Sequence, residues 1–142
     1  MMYHIAFVCI DNSCRSQMAK GWFNYYSKQE GHEQIQIYSA GILTQPIHPY
    51  AIEVMKERDI DISHHLAKSV FALPLNRLTH LITVCERTLN TCPPSLFGVS
   101  YSHWDISDPL KHHGSLEERY AIFQAVRDQI DDRVRTLIDM FL

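Results

Sequence analysis

Two stretches of this chain concentrate side chains able to make and break bonds: Cys9 to Ser16 and Cys85 to Cys92. The first reads Cys9-Ile10-Asp11-Asn12-Ser13-Cys14-Arg15-Ser16, a cysteine followed after five residues by an arginine. A loop of this kind between a strand and a helix suits an oxyanion. Its backbone N–H groups can turn inward, and the helix start adds unpaired N–H groups and the positive end of its dipole. Arg15 supplies a planar two-pronged donor that fits a tetrahedral oxyanion better than lysine does. The same field favours the thiolate of Cys9, the form that attacks electrophiles. Ser16 is placed to donate a hydrogen bond to that thiolate, and Asn12 to hold the loop through side-chain-to-backbone bonds. The bland alternative, a strand-end thiol and a surface arginine, accounts for the spacing but not for its setting.

In the second stretch, Cys85 and Cys92 flank six mostly polar residues and precede Pro93. A hydrolase needs one nucleophilic cysteine. A reductase must deliver two electrons, which thiols do by forming a disulfide. Taken alone, the pair reads better as a buried strand-end thiol and an incidental cysteine, and it is the anion loop that turns the reading toward redox chemistry. Asp108-Pro109 is a candidate general acid, or a turn aspartate fixed by its proline. Cys14 is a small structural residue of the loop or a second thiol able to pair with Cys9, and the first reading is preferred. Zinc is not expected, because the cysteine spacings are not the paired short loops of structural zinc sites. The adjacent histidines His64-His65 and His112-His113 read as solvated loops, so no metal is assigned.

These residues must be positioned by regular elements. Tyr3 to Val8 is a short apolar run ending at the polar loop, the pattern of a central strand. From Ser16 the period becomes helical, with Met18, Ala19, Trp22, Phe23 and Tyr26 on one side and Gly31 as a stop. Ile35 to Tyr38 reads as a second strand, and Pro49 opens a helix carrying Ile52 and Met55. Leu78 to Val84 is a third strand running into Cys85, and Val99 to Tyr101 a fourth. A long helix follows from about Ser115, with Phe123, Val126, Ile130, Val134, Leu137 and Phe141 on one face. Ser115 and Glu118 have capping-box spacing.

Strands alternating with helices predict an α/β fold, a four-stranded parallel sheet flanked by helices. Ligands of such sheets bind beyond the carboxyl ends of the strands, where the strand order reverses. Cys9 and Cys85 both fall at that edge. Residues 1–142 are expected to form a single domain, since no repeat, linker or low-complexity tract divides them. A net charge of −3 gives no electrostatic case for nucleic acid or an anionic membrane as partner. No apolar run is long enough to span a bilayer, and the N-terminus lacks a basic region before its apolar stretch. A cytoplasmic protein is expected, in which four cysteines are more often catalytic or metal-binding than bridging.

Cys9 to Ser16 resembles the signature loop of the low-molecular-weight protein tyrosine phosphatases, and Arg15-Ser16-Gln17-Met18-Ala19 is similar to the arsenate reductases that share their scaffold. Tyr38-Ser39-Ala40-Gly41, Asp61-Ile62-Ser63, His103-Trp104, Asp108-Pro109 and Phe123 to Asp128 also resemble segments of that family, so the likeness spans essentially the whole chain. It implies a low-molecular-weight phosphatase-like fold and an arsenate or phosphate oxyanion as ligand. It also implies catalysis by Cys9, Arg15, Ser16 and Asp108, with Cys85 and Cys92 as the second and third redox cysteines, thioredoxin as the reductant and no cofactor. Hydrolysis of phosphotyrosine or aryl phosphates through a Cys9 phosphoenzyme is the alternative. Leu110-Lys111-His112-His113 weakens it, since phosphatases of this scaffold often place aromatic residues after Asp-Pro. A non-catalytic anion sensor is a third reading.

Three departures stand out. Asp11 occupies a position where the family commonly has a small residue. Some members bind potassium through an asparagine, a glutamate, a serine and an aspartate. Asn12, Ser39 and Asp61 match, but Lys20 stands at the glutamate position, which implies no bound potassium. The run His64-His65-Leu66-Ala67-Lys68-Ser69 differs from the reductases without an evident reason.

Overall fold

The computed structural model describes residues 2–9, 13–30, 34–84 and 99–141. Four strands form one sheet: β1 (Tyr3–Cys9), β2 (Ile35–Gly41), β3 (His80–Val84) and β4 (Ser100–Trp104). Three helices accompany them: α1 (Arg15–Glu30), α2 (Pro49–Lys56) and α3 (Leu116–Asp139). All three strand pairings are parallel and the order is β2-β1-β3-β4. The four-stranded parallel sheet expected from the sequence is therefore present. The chain steps from β1 out to β2, then back across β1 to β3, so the order reverses between β1 and β3.

Alternation along β1 divides the core. Ile5 and Phe7 pack into a large cluster with Ile82, Val84 and Trp104 and the apolar faces of all three helices. Ala6 and Val8 face a smaller cluster with Ala40, Leu81, Val70, Leu73 and Leu78. Among the described residues the second face is covered by a 3₁₀ turn at Val70–Ala72 and the chain after it, rather than by a long helix. Burial on both faces is why β1 reads as a continuous apolar run.

Several boundaries differ from the sequence reading. β1 extends through Cys9, so the nucleophile candidate is the last residue of the strand, in register with Gly41. β2 runs on to Gly41, β3 starts two residues later than expected, and β4 continues to Trp104. At the carboxyl ends of β1, β2 and β4 the hydrogen-bonded ladder outlasts the apolar pattern, whereas at β3 the apolar Leu78 packs in the core ahead of the ladder.

A candidate active site at the start of the first helix

The N-terminus of α1 buries three consecutive polar side chains, Arg15, Ser16 and Gln17. Buried polar groups require partners, so this run marks a constructed site. The first turn of α1 carries no acidic residue, so no side chain of that turn offsets the positive end of the helix. Ser16 Oγ lies 2.9 Å from Cys9 Sγ, so the hydroxyl donates to the sulfur once Cys9 is ionised. Cys9 is only 3% exposed.

The described carbonyls beside the site, those of Cys9, Ser13 and Cys14, all have backbone partners. The Cys14 carbonyl accepts from Met18 N at 2.9 Å, opening the helix. The Ser13 carbonyl accepts from His48 N at 3.0 Å, and His48 is itself held by stacking on Phe123. The Cys9 carbonyl accepts from Ile42 N at 3.3 Å.

Arg15 is aimed by the chain after β4. One guanidinium nitrogen donates to the Ile106 carbonyl at 2.9 Å, and another lies 3.6 Å from the Asp108 carboxylate. Asp108 also accepts from Leu110 N at 2.9 Å and caps a 3₁₀ turn at Pro109–Lys111, so its other oxygen is turned toward Arg15. Cys9, Ser13, Cys14, Arg15, Ser16 and Asp108 thus converge from β1, α1 and the segment after β4. Ile10, Asp11, Asn12, Cys85 and Cys92 lie outside the described residues. Cys14 is buried, and that burial pushes its thiol up to about 12, outweighing the contact with the Ser13 hydroxyl.

Gln17 escaped the sequence reading. Its carboxamide oxygen accepts from Ser39 Oγ at 3.0 Å and faces His65 Nδ1 at 3.2 Å, while its nitrogen donates to the Leu66 carbonyl at 3.3 Å. It fastens α1 to β2 and to the chain after α2. A polar residue on the buried stripe of a helix was the available signal.

Residues 4–141 match the low molecular weight phosphotyrosine protein phosphatase family. This chain belongs to that family. Arsenate reductase from Oceanobacillus iheyensis is 40% identical to it over 131 residues, which cover 92% of this chain and 91% of the relative. Among solved structures, an arsenate reductase in the phosphate-binding state has a TM-score of 0.79 at 34% identity, covering 98% of each chain. A thioredoxin-dependent arsenate reductase from Corynebacterium glutamicum has a TM-score of 0.75 at 25% identity, covering 98% of this chain and 61% of that one.

As a low molecular weight phosphatase family member, the chain can be tested for the potassium site that some relatives carry. The residues present do not fit it. Ser39 donates its hydroxyl to Gln17, and Asp61 Oδ1 accepts from both the backbone and the hydroxyl of Ser63 in a local turn. Lys20, a cation, stands partly buried on α1 close enough to Lys68 for the two charges to repel. Among the described residues no group of three or more His, Cys, Asp or Glu could hold a metal ion.

Proposed function

We propose that this protein is an arsenate reductase that works by a three-cysteine relay regenerated by thioredoxin. The observation that carries the reading is the register of β1 and β3. Val8 pairs with Thr83, so Cys9 and Val84 follow side by side on adjacent strands. Neighbouring strands lie about 4.8 Å apart, and Cys85 is the next residue after Val84, one Cα step of about 3.8 Å. Chain connectivity therefore tethers Cys85 within one residue of the nucleophile's neighbour. The curated relative and the structural neighbours named above support arsenate as the substrate.

In this reading Cys9 thiolate attacks arsenic. A sulfur–arsenic bond forms, an arsenic–oxygen bond breaks, and the oxygen leaves as water with a proton handed on by Asp108. Arg15 and the helix N-terminus hold the remaining oxygens. Cys85 thiolate then attacks Cys9 sulfur. The sulfur–sulfur bond forms as the sulfur–arsenic bond breaks, its electron pair stays on arsenic, and arsenite leaves. Cys92 thiolate attacks Cys85 and frees Cys9. The resulting Cys85–Cys92 disulfide accepts two electrons from the dithiol of thioredoxin. A cytoplasmic location, with its reducing thiol pool, goes with this chemistry.

The deciding assay supplies arsenate, thioredoxin, thioredoxin reductase and NADPH to the wild-type protein and to Cys85→Ser and Cys92→Ser. Arsenate-dependent NADPH oxidation by the wild type, lost in multiple turnover by both variants, is expected. Aryl phosphate hydrolysis retained in both variants, with no arsenate turnover by the wild type, would establish a phosphatase instead.

A further inference from the structure

His48 joins three parts of the fold at one residue. Its backbone N–H donates to the Ser13 carbonyl at 3.0 Å, and its carbonyl accepts from Ile52 N at 3.3 Å as α2 begins. Its ring stacks on Phe123 of α3, with centroids 5.0 Å apart, and meets the Tyr50 ring at 67°. Its Nδ1 accepts from Tyr50 N at 3.1 Å. An imidazole is therefore the N-cap of α2, a position usually held by serine, threonine, aspartate or asparagine. Pro49 comes next and has no N–H, so Tyr50 carries the first backbone donor of the helix, and the His48 ring satisfies it.

Among such caps only the imidazole takes up a proton near neutral pH. A backbone N–H can only donate, so Nδ1 is bare in the neutral ring and the ring proton sits on Nε2. A second proton must go to Nδ1, where it meets the Tyr50 N–H. Two donors then face each other, and the cap bond is lost. Burial and then Arg119 of α3 oppose the charged ring, and the positive end of α2 acts in the same sense. From α2 the ring faces the phenol of Tyr50, with Tyr120 of α3 behind it, and from the loop it is approached through the Ser13 carbonyl.

We propose that His48 is a pH-sensitive positioning residue for the Cys9 loop: its neutral ring holds the start of α2 and the Ser13 carbonyl in place, and its protonation releases both. The peptide between Ser13 and Cys14 is planar and trans, so a carbonyl turned toward His48 turns the Cys14 N–H the opposite way. Losing the cap therefore unfixes a donor of the loop. The consequence for turnover rests on the arsenate reductase reading, in which loop N–H groups hold the arsenate oxygens. The coupling of His48 to the loop does not.

Reduced, isotope-labelled full-length protein is titrated by NMR from about pH 8 down to the pH at which it unfolds, following the His48 ring and the amides of Tyr50 and Cys14. Both amides should shift at the midpoint of the ring. In His48→Asn, which keeps a cap but cannot titrate, Cys14 should show no such step. Sulfate, which stays fully charged over this range, then probes the loop in Cys9→Ser, where the thiol no longer titrates. Its affinity should fall about fivefold across the same midpoint, the size of a lost cap, and stay level in Cys9→Ser with His48→Asn. A ring that takes up no proton before the protein unfolds would overturn the proposal, as would a Cys14 amide that ignores the midpoint or steps equally in His48→Asn. The wild-type titration decides the matter if His48→Asn does not fold. Sulfate bound at no pH, with Cys14 still following the ring, would leave the coupling standing and count against the oxyanion reading instead.

Discussion

The hydrogen bond from Ser16 to Cys9 is the contact at this site with the most direct consequence for reactivity. A bond to an ionised group contributes about 2 kcal/mol, equivalent to roughly 30-fold in rate when it is lost from the reacting state. Ser16→Ala should therefore slow both arsenate turnover and alkylation of Cys9 by iodoacetate at neutral pH by about that factor. Circular dichroism should be unchanged, because the hydroxyl adds almost no packing volume. Equal alkylation rates in the two proteins would show that the helix N-terminus alone activates the sulfur. The parts of the site legible in the sequence were those set by short-range order. Cys9, Ser13, Cys14, Arg15 and Ser16 are close in the chain, and their spacing carries the loop. The Ile106 carbonyl that aims Arg15 is 91 residues away, and His65 is 48 residues from Gln17. No local pattern encodes such contacts. A carbonyl has no side-chain identity to read, and His65 looks like any other solvated loop histidine until the chain is folded.

Among the elements, α3 was the most legible, because its apolar stripe and its start signal agree. Ser115 Oγ accepts from Glu118 N at 3.1 Å, and the Glu118 carboxylate accepts from Ser115 N at 3.4 Å, closing the capping box. Ser115→Ala removes one of these bonds and should cost about 1 kcal/mol. For a chain of this size that is a fall of roughly 2–4 °C in melting temperature with no loss of turnover. A shift of less than 1 °C would mean that the packing of Phe123, Val126 and Ile130 fixes the start of the helix without help. The short 3₁₀ turns at Val70–Ala72 and Pro109–Lys111 went unread. Each is a single turn capped by one side chain, Ser69 or Asp108, and is too brief to show a period. The same brevity hid the unequal layering of the sheet, since a covering of loop and 3₁₀ turn leaves no amphipathic signature.

For the molecule as a whole, the half-buried histidines set the acid limit of stability. His65 titrates near 4 in the folded protein, against about 6.5 for an ordinary histidine, and burial also lowers His48 and His80. As the pH falls below about 6.5 the unfolded chain takes up a proton at His65 that the native state refuses until about 4. Stability is thus fully present above 6.5 and drains away between 6.5 and 4. Melting temperature should drop across that interval, and the drop should be shallower in His65→Asn, which keeps a polar partner for Gln17 but cannot titrate. Identical pH profiles for the two proteins would assign the loss to other groups.

Trp104 closes β4, pairs in register with Val84 and packs its ring 5.5 Å from that of Phe7, while the chain's other tryptophan, Trp22, stacks on Tyr26 in α1. Both indoles are almost entirely buried, at 7% and 4% exposure. One indole is therefore seated beside the strand end that leads into Cys85, and the other reports from the helix that carries Arg15. The protein holds two internal indole fluorophores, one on each of two elements that lead to the site. Exchanging either for phenylalanine would let emission from the survivor follow, without any attached dye, whether events at the sheet edge reach the helix or stop short of it.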